Sequence, residues 1–162
     1  MKDWNKIALN YHNLSHKGDE YSLLLGEPCS KADIMACFSS QNFSPPEEFI
    51  DVYTAFDGLG ISSSVYGNLW MLVPLSQFSR CQRDARNWFS DDYPDLAQRF
   101  FPFIDWSNGD YSGYLLSSEG VLLPGIYDFS HEEYEPSDKI DENEVLESVY
   151  DSIYEFLTPD SM

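Results

Sequence analysis

Residues 44–61 read SPPEEFIDVYTAFDGLGI and contain the clearest helix start and end signals in the chain. Ser44 is a favoured N-cap residue, prolines are tolerated in a first turn, and Glu47 suits the positive end of the helix dipole. Asp57-Gly58 predicts the end of the helix, because glycine readily adopts the left-handed conformation of a C-cap. The apolar residues between these signals recur at helical spacing and predict one buried stripe, formed by Phe49, Val52, Tyr53 and Phe56.

Helices are also predicted upstream, and mainly strands downstream. Asp3 stands at the N-cap of a first helix, and Ser30 with Asp33 forms a capping box that begins a second, with a loop between the two helices. Downstream the pattern changes, and Asn108-Gly109 is a strong hairpin signal. The predicted strands are residues 61–67, 68–75 (joined at Gly67-Asn68), 101–106, 111–118 and 120–129, with one helix from Ser76 and a last helix from Asp141.

This order of elements indicates the fold class. Strands joined by hairpin-length turns and accompanied by helices are typical of an α+β domain with a largely antiparallel sheet packed by helices. A length of 162 residues suits one hydrophobic core, and neither an internal repeat nor a linker divides the sequence. We therefore predict a single domain over residues 1–162.

Several of these motifs, in this order, resemble those of the SUKH superfamily, which holds the Smi/Knr-type proteins. Residues 44–61 are similar to its helix-and-turn, and LWMLVPLSQF (69–78) is similar to its second strand. FPFIDWSNGDYSGYLL (101–116) is similar to its hairpin and SIYEFL (152–157) to its closing helix, so that the resemblance covers residues 30–158. It implies a SUKH-like fold and one of two roles, immunity against polymorphic bacterial toxins or regulation of the cell wall.

The composition argues against several classes of protein. The 28 acidic residues outnumber the 9 Lys and Arg, and a net charge of −19 repels phosphate, so direct nucleic-acid binding is not expected. The apolar run 69–75 is too short to span a bilayer, and the charged N-terminus lacks a signal-peptide core, so we expect a cytoplasmic protein. Three cysteines without CxxC spacing suggest reduced thiols rather than a zinc site or disulfides, and no cofactor is implied.

The negative charge is concentrated near the C-terminus. Residues 127–162 hold 12 acids and one base, whereas the first 126 residues hold 16 acids and 8 bases. Such a surface either aids solubility or steers a basic partner, and Tyr or Trp among the acids would anchor the contact. The residues expected to contact a partner are Asp105, Trp106, Asp110, Tyr111, Glu132, Glu133, Tyr134, Glu135, Asp138 and Glu142.

Together with the resemblance, this charge predicts a non-enzymatic protein-binding module. The function we expect is that of an immunity protein, which covers the active surface of a basic toxin domain such as a nuclease. A regulatory scaffold for endogenous partners is one alternative. A small hydrolase that uses Cys81 or a pair of carboxylates is another.

Two sequence features bear on the alternatives. Cys81 lies between Phe78 and Ala85 on the inward side of a predicted helix, which predicts a core thiol rather than a nucleophile. The one basic cluster, at Arg80, Arg83 and Arg86, is expected to pair with the nearby acids Asp84, Asp91 or Asp92 rather than to bind phosphate.

Overall fold

The computed structural model describes residues 2–16, 20–41, 43–134 and 144–159. Within these ranges lie six α-helices and seven β-strands, which divide into two compact units. The first unit contains the described residues up to Leu75 and from Ser152 onward, and the second contains those from Ser76 to Asp151. Each unit combines helices with antiparallel strands, which confirms the predicted α+β class with a largely antiparallel sheet. The single domain stays a prediction.

The first unit contains four helices and three short antiparallel strands. Its helices are α1 (Trp4–Ser15), α2 (Lys31–Phe38), α3 (Glu47–Ala55) and α6 (Ile153–Leu157), and its strands are β1 (Ser22–Leu25), β2 (Leu59–Ser63) and β3 (Gly67–Leu72). β2 pairs with β1 on one side and β3 on the other, both antiparallel. Glu48 of α3 accepts hydrogen bonds from the backbone N–H groups of Ile153 and Tyr154 at 2.7 and 3.1 Å, which ties the start of α6 to α3.

Most helix signals of the first unit are confirmed. Asp3 accepts from the N–H of Lys6, Ser30 accepts from the N–H of Asp33, and the predicted apolar stripe of α3 is fully buried. Ser44 as an N-cap was wrong: α3 begins at Glu47, and no side chain caps it. The physical reason is that a residue before proline is driven out of the helical region, so consecutive prolines keep the chain extended.

Three boundaries in the first unit differ from the sequence prediction. α3 ends at Ala55, with Phe56 extended at the C-cap, so Gly58 lies beyond the helix although its φ of 98° is positive. The turn between β2 and β3 lies at residues 64–66 rather than at Gly67-Asn68. The predicted loop between α1 and α2 contains β1, which exists through its pairing with β2.

The second unit is a four-stranded antiparallel meander with two helices. The helices are α4 (Phe78–Asn87) and α5 (Pro94–Arg99), and the strands are β4 (Phe100–Asp105), β5 (Tyr111–Leu115), β6 (Ile126–Phe129) and β7 (Glu147–Tyr150). Consecutive strands pair in order from β4 to β7. The hairpin at Asn108-Gly109 is confirmed, with a connection of residues 106–110.

The last predicted helix was wrong over part of its length. Its start at Asp141 lies outside the described residues, and Glu147–Tyr150 forms strand β7 instead of helix. Among the residues described from 144 onward, the α-helix is Ile153–Leu157. Pairing with β6 supplies hydrogen bonds that override a helical spacing of apolar residues.

Candidate functional site

The connection between β4 and β5 is held in one shape by its own polar groups. Asp105 Oδ1 accepts a hydrogen bond from the N–H of Ser107 at 2.8 Å, and Asn108 Oδ1 accepts from the N–H of Asp110 at 3.0 Å. The backbone N–H of Trp106 also donates to the carbonyl of Asp110 at 3.2 Å. Ser107 and Gly109 have φ values of 62° and 97°, a conformation that glycine adopts at low cost and other residues seldom do. The connection therefore presents its side chains in a fixed direction.

A buried hydroxyl links the tryptophan of this connection to an acid on β6. The indole Nε1–H of Trp106 donates to Ser112 Oγ at 2.9 Å, and the Ser112 hydroxyl donates to Asp128 Oδ1 at 2.7 Å. Ser112 has no exposed surface, so both hydrogen bonds are shielded from water at the serine. Ser112 therefore positions Trp106 and Asp128 relative to each other.

Asp128 stands in a row of polar residues that crosses the strands. Ser112 on β5 lies opposite Asp128 on β6, and Asp128 lies opposite Glu147 on β7. Burial raises the pKa of the Asp128 carboxyl, and the charges of Asp110, Glu147 and Glu133 raise it further, while the hydrogen bond from Ser112 lowers it. Among the described residues, no basic side chain forms an ion pair with Asp128. The carboxylate is thus held in an environment that opposes its charge.

Asp128 lines a cleft of about 300 Å³ together with Trp106 and Asp110. This acidic cleft is lined by Trp106, Asn108, Asp110, Asp128, Val149 and Tyr150. Its walls combine two carboxylates with one amide, two aromatic rings and one aliphatic side chain. A cleft of this composition can accept a small group that is both cationic and flat or apolar.

His131 holds the second carboxylate of the acidic cleft. Asp110 Oδ1 accepts from the backbone N–H of His131 at 2.9 Å and lies 2.7 Å from its Nδ1. The imidazole packs on the half-exposed indole of Trp88, with 5.2 Å between ring centroids. Asp110 therefore has a partner that carries positive charge when protonated, whereas the charge of Asp128 is met by a neutral hydroxyl.

The remaining predicted contact residues fall into different surroundings. Asp105 lies 3.9 Å from the guanidinium of Arg80, which partly offsets its charge. Tyr111 is only 8% exposed, and burial raises its pKa to about 12. The structure thus gathers Trp106 and Asp110 at the acidic cleft, with Asp105 and the buried Tyr111 at the ends of the adjoining strands.

The segment after β6 carries three more of these residues. Glu132 and Glu133 are exposed, and Tyr134 donates its hydroxyl to Asp92 at 2.6 Å. Burial raises the pKa of Tyr134, as does the hydrogen bond to Asp92. The predicted contacts Glu135, Asp138 and Glu142 lie outside the described residues.

Sequence reasoning did not select Asp128, Ser112, Val149 or Tyr150. Asp128 was counted among the C-terminal acids, but its place in the row depends on strand register, which separated stretches of sequence do not reveal. Tyr150 was assigned to a helix. The Asn108-Gly109 hairpin predicts the pairing of β4 with β5, but it does not place Ser112 opposite Asp128 on β6.

The alternative nucleophile Cys81 is in poor surroundings for catalysis. Cys81 is fully buried with Phe78 and Ala85, as predicted, and burial together with Asp105 raises its pKa to about 12. A thiol with this pKa is protonated at neutral pH and is a weak nucleophile. Among the described residues, no group of three or more His, Cys, Asp or Glu is arranged to hold a metal ion.

The basic cluster on α4 is engaged within the second unit. Arg80 and Arg83 lie 3.3 and 3.4 Å from the carboxylate of Asp84, as predicted for two of the three arginines. Arg86 instead donates two hydrogen bonds to the carbonyl of Phe100, at 3.0 and 2.7 Å. Burial lowers the pKa of Arg86.

Helices combined with antiparallel strands define an α+β fold, and the second unit carries a small acidic cleft with aromatic walls. No helix of the described residues is long and apolar enough to cross a bilayer. The model of the SMI1 / KNR4 family (SUKH-1) matches residues 28–158. The chain belongs to this family, which confirms the resemblance drawn from residues 30–158.

The family sets the range of functions. It includes immunity proteins and cell-wall regulators, and its domains are non-enzymatic modules that bind protein partners such as toxins. A search of curated proteins found no match to this chain.

Proposed function

We propose that this protein is a cytoplasmic immunity protein that binds a basic toxin domain and covers its active surface. It would act without catalysis and without a cofactor. Carboxylates of the immunity protein would engage the Lys and Arg side chains that the toxin uses on its own substrate. Family membership and the net charge of −19 support this role.

The observation that carries the proposal is the state of Asp128. Its carboxylate is half-buried beside the negative charges of Asp110, Glu147 and Glu133, so ionising it costs free energy in the unbound protein. A basic partner relieves this cost on binding. Groups that lower the stability of a free protein are typical of sites where function requires them.

The surface around the acidic cleft suits fast capture. Glu132 and Glu133 are exposed, and they follow β6 closely in the chain. Exposed charges of one sign raise association rates by about 10–10³-fold, whereas closely packed groups determine how long the complex lasts. The proposed interface therefore combines exposed acids, which raise the association rate, with the acidic cleft, which slows dissociation.

Host protection tests the proposal. The gene is co-expressed with a neighbouring gene whose product inhibits growth, and survival is compared with that of cells carrying the Glu132→Lys, Glu133→Lys variant. Protection by the native protein, lost in this variant and kept in Glu119→Lys, supports immunity. Growth inhibition that the native protein leaves unchanged argues for the alternative, regulation through endogenous partners.

The hydrolase alternative has its own test. Asp110 and Asp128 are two carboxylates in one cleft, and a raised pKa is a property of general acids in glycoside hydrolysis. Purified protein is incubated with a panel of chromogenic glycosides and esters. Turnover that disappears in Asp128→Asn would overturn the non-enzymatic role.

A further inference from the structure

The size of the acidic cleft limits its occupant to something small. At about 300 Å³ it lies at the lower end of the range for small-molecule sites. One side chain of a partner fits this scale better than a strand or a helix. Its lining then decides which side chain is accepted.

Two carboxylate oxygens in the cleft have capacity for further hydrogen bonds. Asp128 Oδ1 accepts from the Ser112 hydroxyl, and Asp110 Oδ1 contacts the backbone N–H and the ring Nδ1 of His131. Within the described part of the chain, Oδ2 of neither residue accepts a hydrogen bond from another group of the protein. The occupant therefore has to be a donor, and a positive charge is favoured because both acceptors are anionic.

The aromatic walls of the cleft favour the guanidinium of arginine over the ammonium of lysine. Trp106 lines the cleft, and the hydrogen bond from its indole to Ser112 restrains the side chain before binding, which reduces the entropy lost on binding. A planar guanidinium stacks on an indole and also directs several N–H donors outward in its plane. An ammonium is a compact, strongly hydrated charge with no plane to stack, so it is expected to fit the same space less well.

We infer that the acidic cleft is the subsite for one arginine side chain of the protein partner, its guanidinium lying against Trp106 and donating to Asp128 and Asp110. This inference rests on the proposed function and gives the partner's contact a chemical identity. Ser112 is a positioning residue, because it sets the relation between the indole and the carboxylate. The burial of Ser112 keeps water from competing for this arrangement.

The test titrates the full chain with N-acetyl-arginine amide. Binding is followed by NMR through the indole N–H of Trp106, assigned with Trp106→Phe, and the matched probes are the lysine and citrulline amides. Citrulline has nearly the shape of arginine without its charge. We expect saturable shifts of the Trp106 resonance with arginine, weaker shifts with lysine and none with citrulline.

Variants locate the binding. Asp128→Asn should weaken arginine binding by about tenfold or more, since a hydrogen bond to a charged group is lost. Glu119→Gln, an exposed acid on the β5–β6 connection, should bind as the native protein does. Equal response to arginine and citrulline, or unchanged binding by Asp128→Asn, would overturn the inference.

The outcome is separable from that of the proposed function. Host protection without any arginine binding at the cleft would leave immunity standing and remove the subsite. Arginine binding that fits the expected pattern, in a protein that protects against no toxin, would keep the subsite and remove the immunity role.

Discussion

Replacing Ser112 by alanine should destabilise the protein measurably, although it removes only one oxygen. Ser112 has no exposed surface and links Trp106 and Asp128 through hydrogen bonds of 2.9 and 2.7 Å. A neutral hydrogen bond contributes about 1 kcal/mol and one to a charged group about 1.5–3 kcal/mol. The two bonds together would contribute about 2.5–4 kcal/mol, but water reaches the half-buried carboxylate in the variant and replaces part of this contribution, so we expect a loss of about 2 kcal/mol at pH 7.

Urea unfolding and thermal unfolding measure this loss. For a chain of this length, about 2 kcal/mol corresponds to a fall in Tm of about 4–8 °C. The matched control is Ser118→Ala, since Ser118 is exposed and forms no hydrogen bond with any residue the structure describes. This control should stay within about 0.5 kcal/mol of the native protein.

The pH dependence tests the cause of the loss. The Ser112 hydrogen bond lowers the pKa of Asp128, so it favours the ionised form, and its contribution should shrink as pH falls through the pKa of Asp128, which burial holds above the ordinary value of an aspartate. For the same reason the loss should be smaller in an Asp128→Asn background. If Ser112→Ala lowers the free energy of unfolding by less than about 0.5 kcal/mol, or by the same amount at pH 3 and pH 7, Ser112 does not link Trp106 to the ionised Asp128 as described.

Three further measurements bear on charge and chemistry. Asp128→Asn should raise the free energy of unfolding at pH 7, because a raised pKa means that ionisation costs stability, and the gain should vanish below about pH 4, where the residue is protonated in folded and unfolded chains alike; urea titrations across pH test this. The Glu132→Lys, Glu133→Lys variant should bind a basic partner more slowly and with less salt dependence in stopped-flow mixing, while its Tm stays near that of the native protein; an unchanged rate would place the interface elsewhere. Cys81 should react with iodoacetamide at pH 7.5 only after unfolding, because it is buried with a pKa of about 12, and fast labelling of the folded protein would contradict its place in the core.

Local signals in the sequence predicted the features that depend on neighbouring residues. The caps at Asp3 and Ser30 depend on side chains three residues from their partners, and the structure contains both hydrogen bonds. The hairpin at Asn108-Gly109 was found for the same reason, since its conformation is determined within the turn. These local features were sufficient to predict the α+β fold class.

Features that depend on distant pairing were missed. β1 has only four residues and is defined by its register with β2, about forty positions away. β7 was taken for helix because Val145, Val149 and Ile153 are spaced four apart, a pattern that also arises when a strand is followed by a short helix. Asp128 was missed as a site residue for the same reason, since its importance comes from its position opposite Ser112 and Glu147.

If the protein binds a basic partner as proposed, its net charge and the acidic cleft should govern different stages of binding. The net charge of −19 acts over a distance of about 8 Å at physiological salt, so it affects how fast a basic partner arrives and how strongly salt slows it. Asp128 acts at hydrogen-bond distance from a partly desolvated position, where salt screens little, so it affects how slowly the partner leaves. Changes at the exposed Glu132 and Glu133 should therefore alter the association rate, and changes at Asp128 or Ser112 the dissociation rate. A sequence count predicts the first effect, whereas only the register of β5, β6 and β7 places the residues responsible for the second.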